Sequence, residues 1–143
     1  MKTTLVTLLF ASTLTFGGDF IANPKNHTVE QKSAKLIWQD DASSAERVMS
    51  YKSAMSYCET LDYAGYTNWR LPIVPEFQKI VDMERTPTIY SVFSHTTTQC
   101  YWHSHRDRNG LVGVGFIDFS NGTKQAVFGH EYFCHARCVS DSK

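Results

Sequence analysis

The sequence predicts an α+β fold in which two helices pack on an antiparallel sheet and disulfides stabilise the assembly. Three observations predict it: a short alternating segment around Trp38, helical periodicity after Ser50, and a run of alternating segments with turn residues from Gln99 onward. At 143 residues, 42% hydrophobic and 13% aromatic, the chain suits one globular core. Its 14 basic residues balance its 14 acidic ones, so no net field recruits nucleic acid or an anionic membrane surface, and no nucleic-acid partner is expected. The six His add positive charge as pH falls through about 6.5.

The first 18 residues read as a signal peptide. Lys2 supplies a positive start, Leu5 to Phe16 an apolar run, and Phe16-Gly17-Gly18 the small residues a signal peptidase tolerates. A membrane span needs about 20 apolar residues and this run is about 12, so the mature chain is expected to carry no transmembrane segment. No Cys follows the run, which argues against a lipid anchor. The expected layout is a signal peptide over 1–18, an N-terminal arm over 19–33 and a domain over 34–143, in a chain exported to the periplasm or the cell surface.

Residues Asp19 to Ser33 are polar and contain Asn23-Pro24, as a surface arm or short edge strand would. Ala34, Leu36 and Trp38 alternate as a half-buried first strand, and Asp40 to Ser44 is expected as a loop. Ser50 is a suitable N-cap for a helix whose apolar positions Tyr51, Ala54, Met55, Cys58 and Leu61 fall on one face, with Cys58 inward. Gly65 ends that region at positive φ, and Pro75 opens a second helix through Phe77, Ile80, Val81 and Met83 that lacks a Ser, Thr, Asp or Asn cap. Farther on, Gln99 to Ser104 and Val112 to Phe119 are strand-like, Ser120-Asn121-Gly122 turns the chain into Thr123 to Phe128, and Tyr132 to Ser140 alternates again. The last segment puts Cys134, Ala136 and Cys138 on one face and Phe133, His135, Arg137 and Val139 on the other.

Four Cys in an exported chain point to two disulfides rather than a metal centre, because no C-x-x-C pair is present and the compartment is oxidising. In an extended segment Cys134 and Cys138 stand roughly 13 Å apart, beyond the limit near 7 Å for a bridge. Two pairings are left: Cys58 with Cys138 and Cys100 with Cys134, or the crossed alternative.

Seven ordered pieces carry a resemblance: LIWQ from Leu36, YKSAMSYCETL from Tyr51, AGYTNWRLP from Ala64, EFQKIVD from Glu76, Tyr101-Trp102, FIDFSNG from Phe116 and RCV from Arg137. From about residue 34 to 140 the chain resembles the Lcl C-terminal domain family, a bacterial domain of unknown function. The resemblance implies a fold akin to the C-type-lectin-like and formylglycine-generating-enzyme folds, a disulfide from the helix to the last strand, and export, in some members attached to adhesins or collagen-like stalks. It implies no shared catalytic residues. The chain departs from the family pattern at Tyr51, where Trp is common, at Val74-Pro75-Glu76 and at Trp102-His103-Ser104-His105.

The loop from His103 to Gly110, flanked by Tyr101-Trp102, is the most basic stretch. Its candidate ligand-binding residues are Tyr101, Trp102, His103, His105, Arg106 and Arg108, offering guanidinium forks to an anion and aromatic faces to sugar rings. His103, His105 and His135 are the metal candidates on imidazole chemistry, although no metal or other cofactor is expected. Ser104 with His103 or His135 and Asp107 or Asp118 sketches a hydrolytic triad that no G-x-S-x-G elbow supports. Trp69, Arg70, Leu71 and Pro72 form either a ligand platform or a scaffold joint, and the helix periodicity and Cys arithmetic favour the joint. The expected function is an exported, non-catalytic binding or adhesion module of the bacterial envelope, with a glycan, an acidic polymer or an envelope protein as partner. The alternatives are a metal-dependent periplasmic enzyme using a His-rich face and a structural subunit of a surface complex.

Overall fold

The computed structural model describes residues 15–16, 18–104, 114–127 and 132–143. In chain order its elements are β1 (Thr15–Phe16), β2 (Phe20–Asn23), β3 (Thr28–Gln31), β4 (Leu36–Gln39), α1 (Ala42–Glu46), β5 (Val48–Met49) and α2 (Tyr51–Glu59). There follow α3 (Val74–Gln78), β6 (Cys100–Ser104), β7 (Val114–Asp118), β8 (Thr123–Val127), β9 (Cys134–His135) and β10 (Val139–Asp141). The fold is α+β, with two five-stranded sheets ordered β1-β2-β3-β4-β10 and β5-β9-β6-β7-β8. The first is antiparallel throughout; in the second, β6 and β9 run parallel and the other pairs antiparallel.

The N-terminal stretch does more than an arm or edge strand. Asn23 turns the chain by accepting the Asn26 N–H at 3.2 Å, and β3 then pairs on both sides, placing Val29 opposite Trp38. Leu36 and Trp38 of β4 face one core and Ile37 the other, so all four residues of the strand are buried, which corrects the half-buried alternation expected there. Buried Gln39 has partners for its amide: its Nε2 donates to Tyr57 Oη at 2.8 Å and Asp41 Oδ1 at 2.9 Å, and its Oε1 accepts the Cys138 N–H at 3.2 Å. The expected loop at Asp40 to Ser44 instead opens α1, where the Asp41 carboxylate caps the helix by accepting the Ser44 N–H at 3.2 Å.

Ser50 caps α2, accepting the Ser53 N–H at 3.3 Å, and the helix buries Ala54 and Cys58. Gly65 does take positive φ, at 80°, in the turn between Tyr63 and Tyr66 that follows. The second expected helix is shorter than its periodicity suggests, since α3 ends at Gln78 and Met83 is exposed. The Ile80 carbonyl accepts from Tyr90 N at 3.1 Å and Thr88 O from Asp82 N at 3.2 Å, so tertiary pairing captures the backbone that would continue the helix. Ile73, its N-cap, has no side-chain oxygen to offer; the Glu76 carboxylate supplies the return half of a capping box by accepting Ile73 N–H at 2.9 Å.

Ser120-Asn121-Gly122 turns β7 into β8 as expected, with Gly122 at φ 72° and its N–H donating to Asp118 O at 2.7 Å. The last alternating segment is not one strand: Cys134–His135 joins the second sheet and Val139–Asp141 the first. The two disulfides are Cys58–Cys138 and Cys100–Cys134, with S–S distances of 2.05 and 2.06 Å. Cys58–Cys138 ties α2 to the residue before β10, and Cys100–Cys134 ties β6 to β9. Successive residues of β6 feed two cores: Tyr101 packs with Trp38, Phe77, Ile117 and Phe119, while Trp102 packs with Phe116, Ala54 and the Cys58–Cys138 bridge. Both faces of β6 are therefore packed at Tyr101 and Trp102, and the last positions of the strand reach the surface beside α3.

Candidate functional site

That corner is the site. The antiparallel register sets His103 of β6 opposite Gly115 of β7, and Gly115 opposite Ala126 of β8, so these three positions share one sheet face. A parallel bridge between Ile73 and Ser104, with the Ser104 N–H donating to Pro72 O at 2.8 Å, fixes the start of α3 beside them. The result is an open cleft of about 680 Å³, inside the range of small-molecule sites. Ile73, Val74 and Pro75 form one wall with Gln78 at its end, and Val114 and Ala126 line the sheet side. Lys124 and Gln125 stand on the edge strand, and His103 and Ser104 lie at the inner end.

His103 is 5% exposed. A Cβ added at Gly115 would lie 2.7 and 2.8 Å from its ring atoms Nε2 and Cε1, so the absence of a side chain at 115 lets the imidazole lie across β7. Among the described lining residues Lys124 is the one formal cation, and none is acidic. The nearest carboxylate on α3, Glu76, is already engaged by Arg70 at 2.8 and 2.7 Å.

In two smaller hollows the acidic side chains are already held by the protein's own contacts. The first, of about 430 Å³, contains Asp19, whose carboxylate accepts from Ser33 N at 2.7 Å and Ser33 Oγ at 2.8 Å. Its slight burial works to raise the Asp19 pKa, but the Ser33 bonds outweigh that and hold it below the usual 3.8. The second, of about 200 Å³, borders Asp40, which pairs with buried Arg137, and His95, whose backbone carbonyl accepts from Arg137.

The expected ligand residues separate in space. Tyr101 and Trp102 are 0 and 1% exposed, so their rings serve the two cores and offer no face to a sugar, correcting that expectation. His103 lines the cleft, whereas His105, Arg106 and Arg108 lie outside the described residues. Of the metal candidates, buried His135 stacks on Tyr101 with ring centroids 5.2 Å apart and has Nε2 at 2.8 Å from Gln99 Oε1. Among the described residues no group of three or more His, Cys, Asp or Glu side chains is placed to hold a metal ion. Ser104 and His103 are neighbours on a strand and face opposite ways, and Ser104 Oγ donates to Leu71 O at 3.3 Å, so they do not form a catalytic dyad. Asp107 lies outside the described residues.

Trp69-Arg70-Leu71-Pro72 makes a joint. The Trp69 indole donates to Tyr66 O at 2.9 Å, the Arg70 backbone exchanges two 2.9 Å bonds with Val139, and Leu71 is buried. The Glu76 carboxylate, through its hydrogen bonds, raises the Arg70 pKa further. Sequence reasoning passed over Gly115, Lys124 and Ala126. Alternation in Val112 to Phe119 and Thr123 to Phe128 puts them on known strands, but only the cross-strand register brings them to His103.

These observations define an α+β domain stapled by two disulfides, with an open cleft whose described lining residues include no carboxylate. The family model of the Lcl C-terminal domain matches residues 27–140, and the chain belongs to that family. Comparison with curated proteins and with solved structures finds no match, so the likeness to C-type-lectin-like folds rests on the family resemblance alone. No helix among the described residues is long and apolar enough to cross a membrane, and the disulfides are consistent with an extracytoplasmic domain.

Proposed function

We propose that this chain is an exported, non-catalytic binding or adhesion module of the bacterial cell envelope that recognises glycans or acidic polymers. The observation that carries the reading is the cleft beside α3, with Lys124 at its edge, His103 at its inner end and no acidic side chain among its described lining. Such a lining favours an anionic group over a cationic one. The two disulfides support export, because such bridges persist in oxidising compartments. The apolar run before Gly17-Gly18 supports it from the sequence.

The test is retention of the domain from Asp19 onward on immobilised heparin at low salt, paired with a glycan array. Retention that weakens in Lys124→Glu is the expected result. No retention and no array signal would overturn the proposal.

A further inference from the structure

The cleft is selective in shape as well as charge. Its floor is a step across three strands, where the His103 ring crosses Gly115 and the neighbouring position on the edge strand is only Ala126. A Cβ at Gly115 would stand 2.5 Å from Gln125 O, so this low floor is built into the close approach of β7 and β8. Ile73, Val74 and Pro75 give a rigid apolar wall, which suits a flat body rather than a hydrated chain. Lys124 takes part in none of the ion pairs among the described residues. A cation on an apolar cleft leaves room for one anionic group at the rim.

We propose that the cleft between α3 and the β6-β7-β8 face binds a small amphipathic anion: a flat apolar body over the His103 ring and Ala126, and a carboxylate or sulfonate at Lys124. This inference rests on the binding-module reading and names a ligand class for its cleft. Gly115 is then a specificity-determining residue, since any side chain there displaces the His103 ring and removes the floor on which the flat body lies.

The probe is 8-anilinonaphthalene-1-sulfonate, compared with the neutral N-phenyl-1-naphthylamine, which has the same apolar body without the anion. Fluorescence titration of the intact domain should give one saturable site for the sulfonate. In Lys124→Gln the sulfonate should bind about five-fold more weakly while the neutral probe is unchanged, the size expected for one exposed ion pair. Ala126→Phe fills the cleft from an exposed edge-strand position and should weaken both probes by more than about ten-fold, with the melting temperature retained. Unchanged sulfonate binding in folded Ala126→Phe, or an unchanged ratio of the two probes in Lys124→Gln, would overturn the inference. Heparin retention with probe binding indifferent to both variants would sink the cleft ligand and leave the module reading standing. The expected weakening in both variants, with the neutral probe unchanged in Lys124→Gln and no heparin retention, would support the cleft ligand and remove the polymer.

Discussion

Arg70 holds Glu76 through two hydrogen bonds of 2.8 and 2.7 Å, yet its side chain is 41% exposed. Arg137 meets Asp40 through a single contact of 3.0 Å, and its side chain is wholly buried. By geometry alone the first is the better pair. The second is embedded in a dry network: Arg137 also donates to Gln39 O at 2.7 Å and to His95 O, and lies 5.0 Å from the Phe93 ring centre and 5.5 Å from that of Tyr101. Asp40 in turn accepts from Ser94 N at 2.9 Å, Ser94 Oγ at 2.8 Å and His95 N at 3.1 Å. Removing one member of a buried pair leaves the other as an uncompensated charge, whereas water takes over for an exposed one. Solvent, then, sets what each arginine contributes.

The largest effect should follow from Arg137→Met, which keeps much of the apolar stem and strands the Asp40 carboxylate. The expected loss is about 3 to 5 kcal/mol, read from the denaturant midpoint at constant slope. A loss under about 1 kcal/mol would break the contrast with Arg70. Adding Asp40→Asn removes the stranded charge but keeps an acceptor oxygen for only one side, either the Ser94 N–H now on Oδ2 or the His95 N–H now on Oδ1. The double variant should therefore regain about 1 to 2 kcal/mol over the single one. No regain would mean that the packing of Arg137, and not its pairing, carries the cost.

Local features of the fold were legible and distant ones were not. Ser50 as a cap, Cys58 on the inner helix face, and the Ser120-Asn121-Gly122 turn each depend on neighbours within a few residues, so periodicity and turn chemistry find them. Arg137 and Asp40 are 97 residues apart, and nothing local distinguishes a buried Arg from one on a solvated strand. The end of α3 was likewise invisible, because it depends on Tyr90 N reaching Ile80 O. In the site, His103 stood out in the sequence as one of a His pair, while Tyr101 and Trp102 were drawn to the surface by the polar loop after them. Their burial follows from β6 being a central strand with a core on each face.

The exposed pair makes a smaller, salt-sensitive prediction. Arg70→Met should cost about 1 kcal/mol or less, and the difference from the parent should shrink at high salt as the ions screen the pair. The Glu76 carboxylate keeps its bond to Ile73 N–H in that variant, so α3 retains its start. A cost that high salt leaves unchanged would assign the role of Arg70 to its contacts along the chain instead of its charge.

The finest test of the contrast is the effect of Arg137 on its neighbour His135. Burial first, and then the positive charge of Arg137, hold the His135 pKa below its usual 6.5, against an opposing pull from the Arg47 backbone. The folded protein thus refuses a proton that the unfolded chain accepts. Unfolding binds protons in this window, so the His135 contribution is fully present above pH 6.5 and is lost as pH falls from 6.5 toward the lowered folded value. Denaturant midpoints taken near neutrality and on the acid side of that value should show a loss that shrinks in His135→Gln. Equal acid losses in the two proteins would rule His135 out as the source. Following the imidazole by NMR isolates the arginine: in Arg137→Met, at a denaturant-free temperature where the fold persists, the His135 pKa should move upward as the neighbouring charge disappears. An unmoved pKa would mean that burial alone keeps the ring neutral, and that the influence of Arg137 ends at Asp40.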